Sequence, residues 1–478
     1  MTCGVVTKRR MADAAREKQR YKGGHNAGAW RASCRGGVSG SGTGGGERDP
    51  YESSRHPVSL QRTAGWQVSG TCQWRIVNCH LEVRPADGRV TGVLGDFGWL
   101  RYKSLIKSAA FLPGVRATTC EAMFQGCDQM TKVDLSGLDG SLVSSLADMF
   151  DGCASLTSVD LGGLSGSSPE EADSMFYGCS SLVSVDLSGI NGSSISSLEG
   201  MFNSCSELVS VALPDLSASV ATSMQAMFFG CSKLAALDLS DVHMPLLSNM
   251  ENMFGGCRSL TSLDLSALGA SCVTDMDSLF SGCSSLERVD LSGLVGSSPK
   301  EMKYLFMGCS SIEELGLTAL DTSRAKNLSY LFYNCGKLKT LDLSSFDTSA
   351  ALQMDDMFGN DASHREVHLG RGFFFCGVGQ APLCLLPSNA GTHAIGWRSS
   401  SGQVYAASEI PANRADTYRS GIVLDTDLVC LFSRILRLQR LPRQSDSYHE
   451  PHRGRGLHYE LRQQRRCGHR HGDLRGHW

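Results

Sequence analysis

The chain has 478 residues, of which 41% are apolar and 19% charged, with a formal net charge of −3. This composition supplies enough apolar surface for a packed core and excludes wholesale disorder, and its near balance of charge gives no global case for nucleic-acid binding. No run approaches the roughly 18–20 uncharged apolar residues of a membrane span, and the most apolar late stretch, 427–441, is broken by Arg434, Arg437 and Arg440.

Residues 1–66 hold twelve Lys/Arg against five Asp/Glu. Their basic start has no apolar h-region, so no secretory signal is visible. Residues 434–478 hold eleven Arg, no Lys, six His and four acids. Each end is thus about +7, and the middle carries about −17. Neither end has hydrophobic periodicity, and such segments bury too little apolar surface to offset chain entropy. Three readings fit them: basic arms for polyanions or anionic lipid, disordered tails, or text translated from a GC-rich gene in the wrong frame.

Between the ends runs a repeat. Phe124, Phe150, Phe176, Phe202, Phe228, Phe254, Phe280, Phe306, Phe332 and Phe358 are spaced by 26 residues without exception. A fixed period in the twenties signals a solenoid. Cysteine follows three residues later in nine of the ten units, from Cys127 to Cys335, and Asp361 takes the tenth place. Leu146, Met149, Phe150 and Cys153 are spaced i, i+3, i+4, i+7, which predicts a helix of about two turns. Gly152 would end it in left-handed conformation. Ser168-Pro169-Glu170-Glu171 and Ser298-Pro299-Lys300-Glu301 carry helix-start signals. Val159 and Leu161 alternate with Asp160, the period of a strand. Each repeat therefore predicts one short parallel strand and one short helix. Strands stacked at about 4.8 Å would give a sheet about 45–50 Å long over the array.

The outward strand position holds Asp134, Asp160, Asp186, Asp238, Asp264, Asp290 and Asp342, interrupted by Ala212 and Gly316. Carboxylates about 5 Å apart repel unless something compensates. The row is the candidate binding surface, for a basic partner, a cation or a glycan. The blander account is local: each Asp accepts a bond from a neighbouring Ser or backbone N–H.

The inward ladder of Phe150, Cys153, Phe176, Cys179, Phe254, Cys257, Phe280, Cys283 and their equivalents reads as core, because free Cys behaves as a small buried hydrophobe. Parallel side chains pair poorly as disulfides, and zinc sites want clustered pairs with His nearby. Cys72 with Cys79, or Cys376 with Cys384, are the candidate bridges. No metal or other cofactor is expected. Between Cys120 and Ser363 the only histidine is His243, beside Asp241 and Pro245. Carboxylate pairs repeat evenly, whereas a glycosidase needs one unique pair. The chain is therefore expected not to be an enzyme.

Leu156-x-x-Val159-x-Leu161, with Met175-Phe176-Tyr177-Gly178-Cys179-Ser180-Ser181-Leu182 and Leu279-Phe280-Ser281-Gly282-Cys283-Ser284-Ser285-Leu286, resembles the BspA-like leucine-rich repeat proteins of bacterial surfaces. Gly70-Thr71-Cys72-Gln73-Trp74 to Ile106-Lys107 is similar to the β-rich module placed before such repeats. Trp397 to Tyr418 is similar to the module placed after them. The resemblance implies an α/β leucine-rich-repeat-like solenoid with β-rich N- and C-terminal caps. The expected organisation is a basic segment 1–66, a cap 67–118, ten repeats over 119–368, a cap 369–420 and an Arg/His-rich tail 421–478. It also implies a cell-surface or secreted adhesin for a host or microbial protein or glycan, with no specific nucleic acid and no membrane span. The alternative is a structural surface-layer or spacer element without a specific ligand. The family's Leu-Pro-x-Thr-Gly sorting motif is not found in the chain.

Overall fold

The computed structural model describes residues 63–360, 366–375, 395–405, 410–411 and 414–422. Cys376, Cys384, most of the basic segment 1–66 and nearly all of the tail 421–478 lie outside the described residues. Three strands, β1 (Thr63–Ser69), β2 (Cys72–Val77) and β3 (His80–Pro85), pair antiparallel. The chain then begins to coil. Strands β4 (Gly92–Val93), β5 (Ser108–Phe111), β6 (Val115–Arg116), β7 (Lys132–Asp134) and β8 (Leu138–Asp139) form two parallel sets, β3-β5-β7 and β4-β6-β8. Parallel pairing continues in β9 (Ser184–Asp186) with β10 (Ser210–Ala212), and in β11 (Ser262–Asp264) with β12 (Arg288–Asp290). It ends with β13 (Thr340–Leu343) against β14 (Glu366–Leu369). Strands β15 (Ile395–Arg398), β16 (Val404–Tyr405) and β17 (Asp416–Ile422) then add antiparallel to β14 in the order β14-β17-β15-β16. The architecture is a leucine-rich-repeat-like β-solenoid.

The two-turn helix expected in each repeat is not formed. Asp148 has φ 55° and Gly152 φ 70°, and equivalent left-handed residues recur along the array. An α-helix needs negative φ throughout and sends every N–H along its own axis. Here alternate amides turn sideways. Leu146, Asp148, Phe150 and Gly152 donate to the carbonyls of Glu171, Asp173, Met175 and Tyr177 in the next coil, at 2.7–2.9 Å. Met149, Asp151 and Cys153 close i→i+3 turns within their own coil. The segment is thus a run of tight turns hydrogen-bonded to its neighbours. Its apolar spacing still buries Leu146, Met149, Phe150 and Cys153, because successive turns bring i, i+3, i+4 and i+7 to one side as a helix does. Ser168-Pro169 and Ser298-Pro299 start no helix. Both lead into extended positions where Glu171 pairs with Ser145 and Glu301 with Asp275.

The expected continuous sheet is also divided. On the strand side the described pairing comes in short sets, while the turn side carries bridges at Ser197, Ser223, Asn249, Asp275, Glu301, Asn327 and Gln353 in unbroken succession. Strands of three residues supply few ladder bonds. The inward residues Val159, Leu237, Val289 and Leu315 of the strand side are only partly buried. The tighter backbone spine is the turn side.

The core lies between these two sides. Rings of successive repeats stack from Phe124 to Phe358, with centroids 5.3–6.1 Å apart and interplanar angles of 2–14°. Trp99 continues the stack, 6.4 Å from Phe124, and its indole N–H donates to the Met123 carbonyl. Beside the rings, each cysteine from Cys153 to Cys335 donates its S–H to the carbonyl of the preceding repeat's Phe, at 3.1–3.2 Å. Each of these carbonyls thus uses both lone pairs, one for the backbone N–H of its own repeat's cysteine and one for the thiol of the next repeat. Burial pushes the Cys205 and Cys283 thiols up to about 12. At pH 8 the thiolate fraction is therefore on the order of 10⁻⁴, and the thiolate is the nucleophile. Iodoacetamide is expected to leave Cys205 and Cys283 unlabelled in the native protein and to label both after denaturation, as read by peptide mass spectrometry. Cys72 and Cys79 are free thiols, as is the half-buried Cys272.

Candidate binding faces

The seven aspartates of the strand side are all exposed. Pairing sets Asp134 beside Asp160 and Asp264 beside Asp290, while Asp186 faces Ala212 and Asp342 faces His368. Each carboxylate accepts, through Oδ1, the backbone N–H two residues on, at 2.8–3.0 Å. This is the turn that Asp makes most readily. Ser188 adds its hydroxyl to Asp186 at 2.6 Å. Hydrogen bonds from the Ser side chain and its backbone N–H hold Asp134, Asp186 and Asp264 below the usual carboxylate range. At Asp238 the backbone bond from Ser240 is the larger cause of the same lowering. These four stay ionised at neutral and mildly acidic pH. Among the described residues none of the seven forms an ion pair with Lys or Arg.

A second row of the same turns was not singled out in the sequence. Asp139, Asn191, Asp215, Asp321 and Asp347 each accept the N–H two residues on. The signal was present as Asp or Asn followed two residues later by Ser. Where strand pairing is interrupted between Asp160 and Asp186, a cleft of about 460 Å³ opens, lined by both carboxylates, Gly162, Ser165, Ser188 and Ile190. His243 lies elsewhere, across Gly269 of the next coil, with Nδ1 3.4 Å from the Ala267 carbonyl.

The turn side carries a different chemistry, also missed in the sequence. Asp148 is pushed up to about 6 by burial and by the charges of Asp151, Glu121 and Asp173. Asp277 is pushed up to about 6 by burial and by Asp275, Glu301 and Glu251, against the bond it accepts from the Lys303 N–H. Ionisation of these two opposes folding, so their destabilising effect is relieved as pH falls through about 6. Farther along, Tyr304, Tyr330 and Tyr333 cluster, with Lys303 Nζ 4.5 Å from the Tyr304 ring centre. No helix among the described residues is long and apolar enough to cross a membrane.

The family model described as "Mycoplasma protein of unknown function, DUF285" matches residues 115–214, 222–316 and 300–368. No curated protein matches the chain. Among solved structures, a leucine-rich repeat protein from Eubacterium ventriosum is similar at 19% identity and TM-score 0.27, covering 62% of this chain and 94% of that one. An internalin (InlF) of Listeria monocytogenes is similar at 12% identity and TM-score 0.24, over 54% of this chain and 64% of that one. A chain of the Toll–Spatzle complex of Drosophila is similar at 11% identity and TM-score 0.19, over 60% and 51% of the two chains.

Proposed function

The chain belongs to the family of Mycoplasma proteins of unknown function DUF285, and from that premise we propose that its repeats form a non-enzymatic binding platform at a cell surface. The Asp row of the strand side engages a basic region of a host or microbial surface protein. The carrying observation is a row of charge without ion pairs. Seven exposed carboxylates are fixed in direction by their own turns, and none pairs with Lys or Arg among the described residues, although Lys132 acts on Asp134 from a distance. A rigid row of fixed charge steers and selects a complementary partner more than it adds raw affinity. Solenoids use such extended faces for binding. The adhesive role and the surface location rest on the resemblance to BspA-like proteins. The antiparallel strands at the two ends serve as caps that keep the terminal sheet edges from pairing with other chains.

The test compares the full chain with the triple variant Asp160→Asn, Asp186→Asn, Asp264→Asn against a panel of extracellular-matrix proteins and mucin, in low and moderate salt. Asn keeps the turn, as Asn191 does by accepting the Ser193 N–H at 3.0 Å, so the variant removes charge and spares the fold. Binding by the wild type is expected to weaken with salt and to fall at least tenfold in the variant. Binding by neither protein, or by both alike, leaves the row as a structural device and favours a spacer.

A further inference from the structure

One stretch of the array carries acid without base. From residue 133 to residue 232 the chain holds twelve Asp/Glu and no Lys, Arg or His. Arg116 reaches in to pair with Asp139, and Lys233 to pair with Glu207. Among the described residues no cation pairs with Asp160 or Asp186. Between these two the coils part. Asp160 is bridged backward to Asp134, and β9, which holds Asp186, pairs forward with β10. The two coils meet at the head of their strands, where the Val183 N–H donates to the Thr157 carbonyl at 3.1 Å. Beyond that bond the cleft of about 460 Å³ opens.

The cleft's walls differ from the rest of the strand side. The place of Gly162 is taken by serine in most repeats, as at Ser136, Ser188, Ser240, Ser266, Ser292 and Ser344. The bare glycine opens the wall and leaves Asp160 with the backbone N–H alone, whereas Asp186 accepts both the N–H and the hydroxyl of Ser188. These bonds all go to Oδ1, so Oδ2 of both carboxylates accepts no bond among the described residues. The floor is apolar, built from Val159, Leu161 and Ile190. On the same coils Val183 and Val209 are 45% and 47% exposed. They adjoin through the bond from the Val209 N–H to the Val183 carbonyl at 2.8 Å. Their column holds Thr131, Thr157 and Thr261 elsewhere, so the fold does not require valine there. An exposed aliphatic pair beside a carboxylate-rimmed cleft points to a partner.

We infer that the cleft between Asp160 and Asp186 is the anchoring pocket of the acidic row, an inference that rests on reading that row as a binding face. It takes one arginine side chain of the protein partner, while Val183 and Val209 take an aliphatic residue of the same segment. The arginine stem lies on the apolar floor and its head keeps to the polar rim. The planar guanidinium has donors enough for the open Oδ2 atoms and the Ser165 hydroxyl together. Val183 stands three residues before Asp186, about 10 Å along the strand, which is the reach of about three residues of extended partner chain. Asp264 and Asp290 stand on paired strands without such a gap. The row therefore steers the partner, and the cleft selects one residue of it. Other occupants fit worse. An anion is repelled, and a purely apolar group leaves the carboxylates unpaired. A Ca²⁺ ion wants about six to eight oxygens and gains nothing from the apolar floor.

The test uses the full chain and two fluorescent peptides, read by anisotropy in low salt. One peptide holds an arginine and a leucine three residues apart, and the other replaces the arginine by its neutral isostere citrulline. The wild type is expected to bind the arginine peptide at least tenfold more tightly. Ser165→Phe fills the cleft and keeps all seven aspartates, at a place where His243 and Val295 stand in other repeats. It is expected to weaken binding of the arginine peptide at least tenfold. Val183→Thr with Val209→Thr should weaken it about three- to fivefold. No binding of the arginine peptide by the wild type, or equal binding of the citrulline peptide, overturns the inference. Unweakened binding by Ser165→Phe overturns it as well. Should Ser165→Phe lower the thermal midpoint, Gly162→Ser decides, because it narrows the cleft with the residue most repeats carry, and wild-type affinity in that variant overturns the pocket. The wider reading fails differently. Binding to matrix proteins lost in the triple Asp→Asn variant but kept in Ser165→Phe leaves the row a binding face and removes the pocket. Arginine-peptide binding that Ser165→Phe abolishes, with no matrix protein bound, keeps the pocket and removes the adhesive role.

Discussion

Replacing Phe228 by Ala is expected to destabilise the protein by about 3–5 kcal/mol. The ring is fully buried, 5.4 Å from Phe202 on one side and 5.8 Å from Phe254 on the other. Its loss opens a gap within a stack that has no spare side chain to fill it. The coils cannot close over the gap. Their spacing is set by backbone bonds on both sides of the missing ring, from the Phe202 N–H to the Met227 carbonyl and from the Phe228 N–H to the Met253 carbonyl, at 2.8 and 2.9 Å. A cavity that cannot collapse costs the upper part of its range. The neighbouring Phe229 is the internal control. It is 42% exposed, and its change to Ala is expected to cost well under about 2 kcal/mol. Urea unfolding of the two variants reads the difference directly. Similar midpoints for both would mean that the ring stack contributes no more than surface apolar contacts. Because each repeat touches only its neighbours, the damage should also lower the cooperativity of unfolding.

The period, the inward ring and the inward thiol were legible in the sequence, because burial imposes one residue type at one position. The helix was not, although its refutation was also written there. Apolar spacing of i, i+3, i+4, i+7 describes a side and is silent about the sign of φ. The column of Asp148, Ser174, Gly200, Ala226 and Asn252 carries small or Asx residues, and four places on stands a column of Gly and Asn broken only by Ser204. Two such columns four residues apart in every repeat tolerate left-handed backbone twice per turn segment, which no helix does. Reading Gly152 as a cap used one column and ignored the other. The Asp turns were anticipated because an Asp followed by Ser two residues later is a local matter of short-range bonds. The division of the sheet was not, because strand pairing depends on how far neighbouring coils approach, and no single repeat encodes that. The tyrosine cluster escaped notice for another reason. Columns were read for their common residue, whereas Tyr304 and Tyr330 are exceptions in theirs.

How closely coils approach is set in part by glycines, and Gly293 gives the second large effect. A Cβ on Gly293 would lie 1.9 Å from the Leu265 carbonyl oxygen and 3.0 Å from that of Ser266. Both are backbone atoms at the start of the preceding coil's 3₁₀ turn, Leu265 capping Ser266–Leu268, which stacks on the turn Ser292–Leu294. Backbone cannot rotate away as a side chain can. Leu265 is also bonded forward through its N–H to the Asp290 carbonyl at 3.0 Å, so the coils must shift as units. Overpacking of this kind costs about 1–3 kcal/mol when side chains yield and more when they cannot. Gly293→Ala is therefore expected at or above about 3 kcal/mol. Gly189 offers the opposite case. Its Cβ would meet only Ser165, at 3.4 Å from the hydroxyl oxygen and 3.7 Å from the Cα, in ordinary contact. There, Ala mainly restricts the unfolded chain, and Gly189→Ala is expected to stabilise by about 0.4–1 kcal/mol. Two identical substitutions in the same kind of turn should thus move the unfolding midpoint in opposite directions. Equal destabilisation by both would show that the coils yield at Gly293 and that its contact does not fix their separation. Opposite signs would show that the Gly293 contact fixes the distance between coils, and with it the spacing of the carboxylates Asp264 and Asp290 that a partner would meet.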